Sequence, residues 1–580
     1  MAMLWLVKSL AAFAALVAAT TSFASDADGS QAPLVSSGAS ARKPNIVFIL
    51  TDDQDLHMNS LDYVPLIKKH LIDQGTLYKK RFCTAAICCP ARVSLWTGKA
   101  AHNINVTDVF APYGGYFKFV NEGHNENYLP VFLQDAGYNT YYTGKLFNAH
   151  TVDNYDSPHA AGWTGSDFLL DPYTYSYLNA TFQRNKDAPV SHEGEYSTGV
   201  LAGKALGFLD DAVAEDKPFF LGIAPTAPHS NVPSNTVDEG VPDGKRAGFA
   251  TPPIPAARHA HLFPDVVVPR TENFNPDKES GANWVREQPR QSDENVAFND
   301  HFYRSLLRAL QAVDELVESV VLKLEEYGIL EDTYIFYTTD NGFHIGQHRL
   351  QPVPEGKTVE IVTVHQDLVP TILGLASGPL RTDLDGLAIP LTKPDIEDAA
   401  RTRHDHVTVE YWGIAASEGA WGFFGTNQSF VFNNTYKAIR VVSKEYNLYY
   451  SVWCTNEHEL YDLNTDPGQL RNLLQATSQA TSFLGLPIEK IVSRLDSLLL
   501  VTKSCEGSVC THPWRALHPQ GNVDSLRDTL STRFDSFYEQ QQVRVEYSRC
   551  ELGYLVDAEG PQFEKDGLVY WKSRDWGDWV

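Results

Sequence analysis

Positive charge is scarce in this chain. Its 580 residues carry 47 Lys and Arg against 72 Asp and Glu, a formal net charge of −25. That balance excludes a protein that grips nucleic acid through its overall field. An anionic ligand must instead meet a local cluster of positive groups or a metal. Long apolar runs are lacking too. None reaches the ~20 apolar residues that a bilayer span needs. The polar end, Asp575-Trp576-Gly577-Asp578-Trp579-Val580, is no anchor tail. Cysteine and histidine do not fall at zinc-site spacing. Cysteine is sparse, seven in all, and the number is odd. In a secreted chain an odd count leaves one thiol to explain. The remainder, 43% hydrophobic and 21% charged, is ordinary globular composition. Disorder, collagen and coiled coil are excluded as the main state. At about 150 residues per domain the length allows three or four domains. Large α/β domains exceed that size, so two are expected.

The N-terminus reads as a secretory signal. Met1 to Lys8 carries one positive charge, Ser9 to Thr21 is small and apolar, and Ser22-Phe23-Ala24 has the small residues of a cleavage site. Residues 1–24 are thus expected to be a signal peptide and 25–42 a disordered Ser/Gly/Ala-rich leader. The expected location is secreted, or lumenal within the secretory or lysosomal pathway, without a membrane anchor. Sequons at Asn105, Asn179, Asn427 and Asn433 fit glycosylation in that compartment.

Beyond residue 42 the pattern is α/β. Asn45-Ile46-Val47-Phe48-Ile49-Leu50 is apolar without alternation, as in a strand buried on both faces of a parallel sheet. Thr140-Tyr141-Tyr142, Phe219-Phe220-Leu221-Gly222-Ile223 and Tyr334-Ile335-Phe336-Tyr337 repeat it. Leu306, Leu310, Val313, Val317, Val320 and Leu324 mark an amphipathic helix that Gly328 ends. Polar residues follow each strand, at the edge where open α/β sheets bind ligands. Asp52, Asp53, Lys145, His229, Asp340 and Asn341 are therefore able to converge. After Pro394 short aromatic strands alternate with polar turns. The expected domains are 43–394, catalytic, and 395–580, a smaller α+β unit on an antiparallel sheet.

Two constellations carry chemistry. Asp52-Asp53 repel each other unless a cation sits between them, and Asp340-Asn341-Gly342 supplies two more oxygen ligands. The set suits a hard divalent ion, calcium or magnesium, over zinc. Cys88-Cys89-Pro90-Ala91-Arg92 sets a cysteine at a helix start with Arg one turn on. Read alone, that cysteine is either an activated thiolate or a structural disulfide partner.

Cys-x-Pro-x-Arg followed by Thr97-Gly98-Lys99 resembles the signature of the type I sulfatases. Asn45 to Asp53, Thr143-Gly144-Lys145, Ala227-Pro228-His229, Thr338 to His348 and Glu459 to Pro467 resemble further motifs of that family, in order. The double cysteine and Ser504-Cys505 to Cys510 look nearest to secreted fungal-type arylsulfatases and the N-acetylglucosamine-6-sulfatase branch. The resemblance implies an alkaline-phosphatase-like α/β sandwich with a small C-terminal domain. It implies that Cys88 is oxidised to formylglycine by the formylglycine-generating enzyme. It implies a metal held by Asp52, Asp53, Asp340, Asn341 and residue 88. Lys145 and His229 then contact the sulfate and assist the leaving group, and Arg92 holds the hydrated aldehyde. The expected substrate is an aryl or carbohydrate sulfate ester.

One stretch departs from the family pattern. His348-Arg349-Leu350 runs directly into Gln351-Pro352-Val353, and about twenty to thirty residues expected there, with a sheet strand and a sulfate-contacting lysine, are missing. A misplaced splice junction explains this. A true deletion makes the chain a weak or inactive homologue that binds sulfated glycans. A phosphatase of the same superfold is the other enzyme reading, and the Cys88 to Arg92 motif opposes it. If Cys88 is converted, six cysteines remain, Cys83, Cys89, Cys454, Cys505, Cys510 and Cys550, an even set compatible with disulfides. Cys505 and Cys510, close in a short polar loop, are the expected pair.

Overall fold

The computed structural model describes residues 4–7, 42–232, 250–350, 361–379, 381–416, 430–475, 478, 481–540 and 543–563. Its first unit is built on β1 (Leu4–Val7), β2 (Asn45–Thr51), β3 (Gly75–Tyr78), β4 (Asn139–Lys145), β5 (Gly165–Leu169), β6 (Asn179–Arg184), β7 (Val190–Glu193), β8 (Phe219–Ala224) and β9 (Thr333–Thr339). They form one sheet in the order β3-β1-β9-β2-β8-β4-β5-β6-β7. The five central strands, β9 to β5 in that order, are parallel. Antiparallel pairs close both edges.

The unbroken apolar runs are explained by helices on both faces. From β2, Ile46, Phe48 and Leu50 enter one core with Trp96 of helix α1 (Cys88–Thr97). Val47 and Ile49 enter the other, with Phe208 of α2 (Ser197–Ala214) and Leu310, Val313 and Val317 of α3 (Asp293–Glu326). Each such side chain contributes roughly 1.5–3 kcal/mol on burial. The periodic apolar face of α3 lies against the sheet. The Ser292 side chain accepts from the Asn295 amide at its start.

The second unit is an antiparallel sheet of β10 (His406–Tyr411), β11 (Tyr436–Val442), β12 (Asn447–Trp453) and β13 (His458–Asp462), in that order. One face, with Ile439, Val441, Tyr450 and Leu460, packs on α4 (Ile488–Thr502). The helix Lys393–Thr402 straddles the boundary expected at 394. No described helix is long and apolar enough to cross a membrane.

A buried latch joins the two units. Glu410 of β10 accepts from His102 Nδ1 at 2.9 Å and from Lys437 Nζ at 2.7 Å. Lys437 also lies 3.3 Å from Glu559. The other ring nitrogen of His102 is 2.7 Å from the Cys505 carbonyl. Burial alone would raise Glu410, but His102 and Lys437 hold it at about 2.

One expectation changes, that of the cysteines. Leu4–Val7, inside the expected signal peptide 1–24, pairs antiparallel with β9 and β3. The edge of β9 presents unpaired amides and carbonyls, and a short extended segment satisfies them. Of the six cysteines outside position 88, four are paired, Cys454–Cys550 and Cys505–Cys510. Cys83 and Cys89 keep their thiols. Cys89 faces the apolar core beneath α1 and behaves there as a small hydrophobe. The gap expected after Leu350 falls on residues 351–360, outside the described residues, as does Asn427. Of the other sequons, Asn433 is exposed, while Asn105 and Asn179 are half-buried.

Candidate active site

The C-terminal ends of β2, β4, β8 and β9 meet the N-terminus of α1. Asp52 and Asp53 follow β2, Lys145 ends β4, His229 follows β8, and Asp340 and Asn341 follow β9. All six are buried. The local backbone forces this convergence. Asp53 has φ 63, a left-handed conformation uncommon outside glycine and typical of functional sites. Gly144 has φ 110, and a Cβ there would sit 2.1 Å from the Ala224 carbonyl oxygen. Only glycine lets β4 and β8 approach so closely before Lys145. Gly98 ends α1 at φ 71, donating its amide to the Ser94 carbonyl at 3.0 Å.

Side chains then interlock. Lys145 Nζ donates to Asp52 at 2.7 Å, and the Cys88 thiol lies 3.6 Å from the other Asp52 oxygen. Arg92 donates Nε to Asp340 at 2.8 Å and Nη1 to the Lys145 carbonyl at 2.5 Å. Carboxylate oxygens of Asp52, Asp53 and Asp340 all lie within 4.8 Å of one another. Asp52, Cys88 and His229 form a second such group. Against three carboxylates stand, among the described residues, the two cations that contact them, Lys145 and Arg92.

Protonation follows from this field. Burial would lower Lys145, but Asp52 holds its ammonium well above the ordinary range. Burial, then Lys145, pushes His229 down to about 3, so its imidazole is neutral. Its Nδ1 lies 2.8 Å from the Ser230 carbonyl and therefore carries the proton. Nε2 presents a lone pair to Asp53 at 3.5 Å. That contact is not an ion pair. Two lone-pair groups face each other, an arrangement that a shared cation would relieve. Asn341 Oδ1 is buried without a hydrogen-bond partner and offers another oxygen. A hard ion suits this donor set. Burial also raises the Cys88 thiol well above its ordinary value, with Lys145 opposing and Asp52, Asp53 and Asp340 adding.

Two tyrosines complete the site. Tyr175 stacks on His229 at 4.1 Å between ring centroids and lies 4.6 Å from Lys145 Nζ. Tyr177 donates its hydroxyl to the His229 carbonyl at 2.7 Å. Both lie in the loop 151–185, where specificity is expected, but no periodicity or spacing marks either tyrosine.

A family model described as Sulfatase matches residues 44–360. This chain is a member of the sulfatase family. Among its relatives is an arylsulfatase of Volvox carteri, 37% identical over 545 residues, covering 87% of this chain and 81% of the relative. An N-acetylglucosamine-6-sulfatase of Homo sapiens is 29% identical over 522 residues, covering 82% and 87%. The solved structure of BT4656 in complex with its substrate D-glucosamine-2-N,6-O-disulfate has a TM-score of 0.55 at 20% identity. It covers 75% of this chain and 94% of that one, a likeness of fold. The sulfatase is a sulfuric ester hydrolase, with its polar cluster at the sheet edge where the family motifs lie.

Proposed function

We propose that this sulfatase hydrolyses aryl sulfate esters through a formylglycine hydrate at position 88, with a calcium ion among Asp52, Asp53, Asp340 and Asn341. The observation that carries the reading is the cluster itself, three carboxylates and an unpartnered amide oxygen around a helix start bearing Cys88. A buried thiol raised by its neighbours is a poor nucleophile. An aldehyde hydrate avoids that problem. Bound there, the cation supplies charge that offsets the sulfate and favours a deprotonated hydroxyl.

The chain's own residues do the rest. Lys145 remains an ammonium and stabilises charge on the sulfate oxygens. Neutral His229 takes the proton of the attacking hydroxyl and returns it to the departing alcohol or phenol, so the leaving group exits neutral. Oxygen of residue 88 forms the new bond to sulfur as the ester S–O bond breaks. The second hydroxyl then loses its proton, the C=O bond reforms, and the bond from carbon to the sulfate oxygen breaks. Sulfate leaves and water rehydrates the aldehyde. Arg92, held by Asp340 and the Lys145 carbonyl, fixes the position of Asp340 and faces Asp52 at 3.6 Å.

Mass spectrometry of the peptide spanning residue 88 tests the reading, since unmodified cysteine in active protein ends it. His229→Ala should lower aryl sulfate turnover about 10²–10⁴-fold; unchanged turnover removes His229 from the site. We also propose secretion after cleavage near Ala24 with glycan at Asn433, read by N-terminal sequencing and glycosidase treatment of secreted material.

A further inference from the structure

A cavity of about 230 Å³ opens between the catalytic unit and the C-terminal sheet. On the catalytic side it is lined by Ile87, which precedes Cys88, and by Asn341 of the oxygen cluster. On the other side its walls include Tyr411, Tyr436 and Trp453 of the sheet, with Trp284. An apolar cavity of roughly 150 Å³ holds a benzene, so this one takes a single substituted ring.

Arg440 of β11 also lines this cavity. It is 4% exposed. Its Nε and Nη2 donate to one neutral acceptor, Asn447 Oδ1, at 3.0 and 2.9 Å. Its Nη1 is buried with no hydrogen-bond partner. Among the described residues no carboxylate pairs with it. The acid in the same wall, Glu459, is committed elsewhere. It accepts from Ser451 Oγ at 2.9 Å, Trp453 Nε1 at 2.7 Å and the Tyr461 hydroxyl at 2.7 Å. Burial lowers Arg440 to about 10, which still leaves a cation at neutral pH. A buried guanidinium with an unused donor is costly unless something anionic meets it.

We infer that this cavity is the leaving-group subsite and that Arg440 recognises a second acidic group on it. The substrate class is therefore a single-ring aryl sulfate carrying a carboxylate or another anion remote from the ester. The inference rests on the proposed aryl sulfate hydrolysis, and its test does not need turnover.

Isothermal titration of the full chain with hydroxyphenylpropanoate and with its carboxamide separates the two. The acid should bind at least about tenfold tighter, the value of one charge-assisted hydrogen bond. Arg440→Met should abolish that difference, and Arg440→Lys should retain part of it, with melting curves checking that each variant folds. Equal affinity of acid and carboxamide for the unaltered chain overturns the inference, and needs no variant. A folded R440M that keeps the preference overturns it too. If the preference is present while no sulfate ester is hydrolysed, the subsite stands and the hydrolase reading falls.

Discussion

The molecule contains two buried ionic clusters, and they are built differently. Around Cys88, Asp52, Asp53 and Asp340 outnumber Lys145 and Arg92, and the Asn341 oxygen has no partner. At the domain junction, Glu410 and Glu559 are matched by Lys437 and His102, and Glu410 is tied by close hydrogen bonds. The first cluster is short of positive charge and sits where family motifs converge. The second has cations enough for its two carboxylates, with buried Lys503 near them as well, and holds two units together. Buried charge alone does not identify a reactive site; an unmet charge does.

The largest separation between the clusters should appear with Cys88→Ala. Aryl sulfate turnover should fall about 10³-fold or more, while the melting temperature stays within a few degrees. A large loss of stability would blur the comparison. Lys437→Met is the converse. It leaves Glu410 with His102 alone and takes from Glu559 its ion-pair partner, and should cost about 3–5 kcal/mol of stability in denaturant titrations, with turnover per folded molecule little changed. Chelation with EDTA should lower turnover about 10–100-fold, and calcium should restore it better than magnesium. Full activity in EDTA would remove the cation from the first cluster.

Smallest, and sharpest in sign, is the response to pH. Burial lowers His102, but Glu410 outweighs it and holds the ring above its ordinary 6.5. Its stabilisation is complete below 6.5 and is lost as pH rises through the raised folded value. His150, buried against Tyr116 on the catalytic side, is pushed by burial down to about 3. Its contribution is complete above 6.5 and is lost as pH falls toward 3. Each should tilt the stability curve by about 1 kcal/mol per pH unit in its own window. His102→Gln should flatten the alkaline side and His150→Phe the acid side, as followed by denaturation between pH 4 and 9. Variants that flatten the same side would contradict the opposite signs.

Much of the site was legible because central parallel strands advertise themselves. Asn45–Thr51 and Thr333–Thr339 are apolar without interruption, and whatever follows such a strand lies at the ligand edge. Asp52 and Asp340 met there although 288 residues apart. Tyr175 was not legible, since stacking on His229 depends on a loop path that no local rule fixes. Nor was Cys454–Cys550, which closes a separation of 96 residues. Parity in the cysteine count suggested further pairing, but burial of Cys89 in the core decided otherwise.

The burial of Cys88 has a consequence in time. The residue is 2% exposed, and the helix that begins with it is buried from Cys88 to Thr97. No second enzyme reaches that side chain once the sheet and helix have closed. The proposed conversion of Cys88 therefore belongs to a stage before the sheet and helix close. On that proposal a molecule that folds first is locked out, and the rate of folding sets what fraction of the protein is converted.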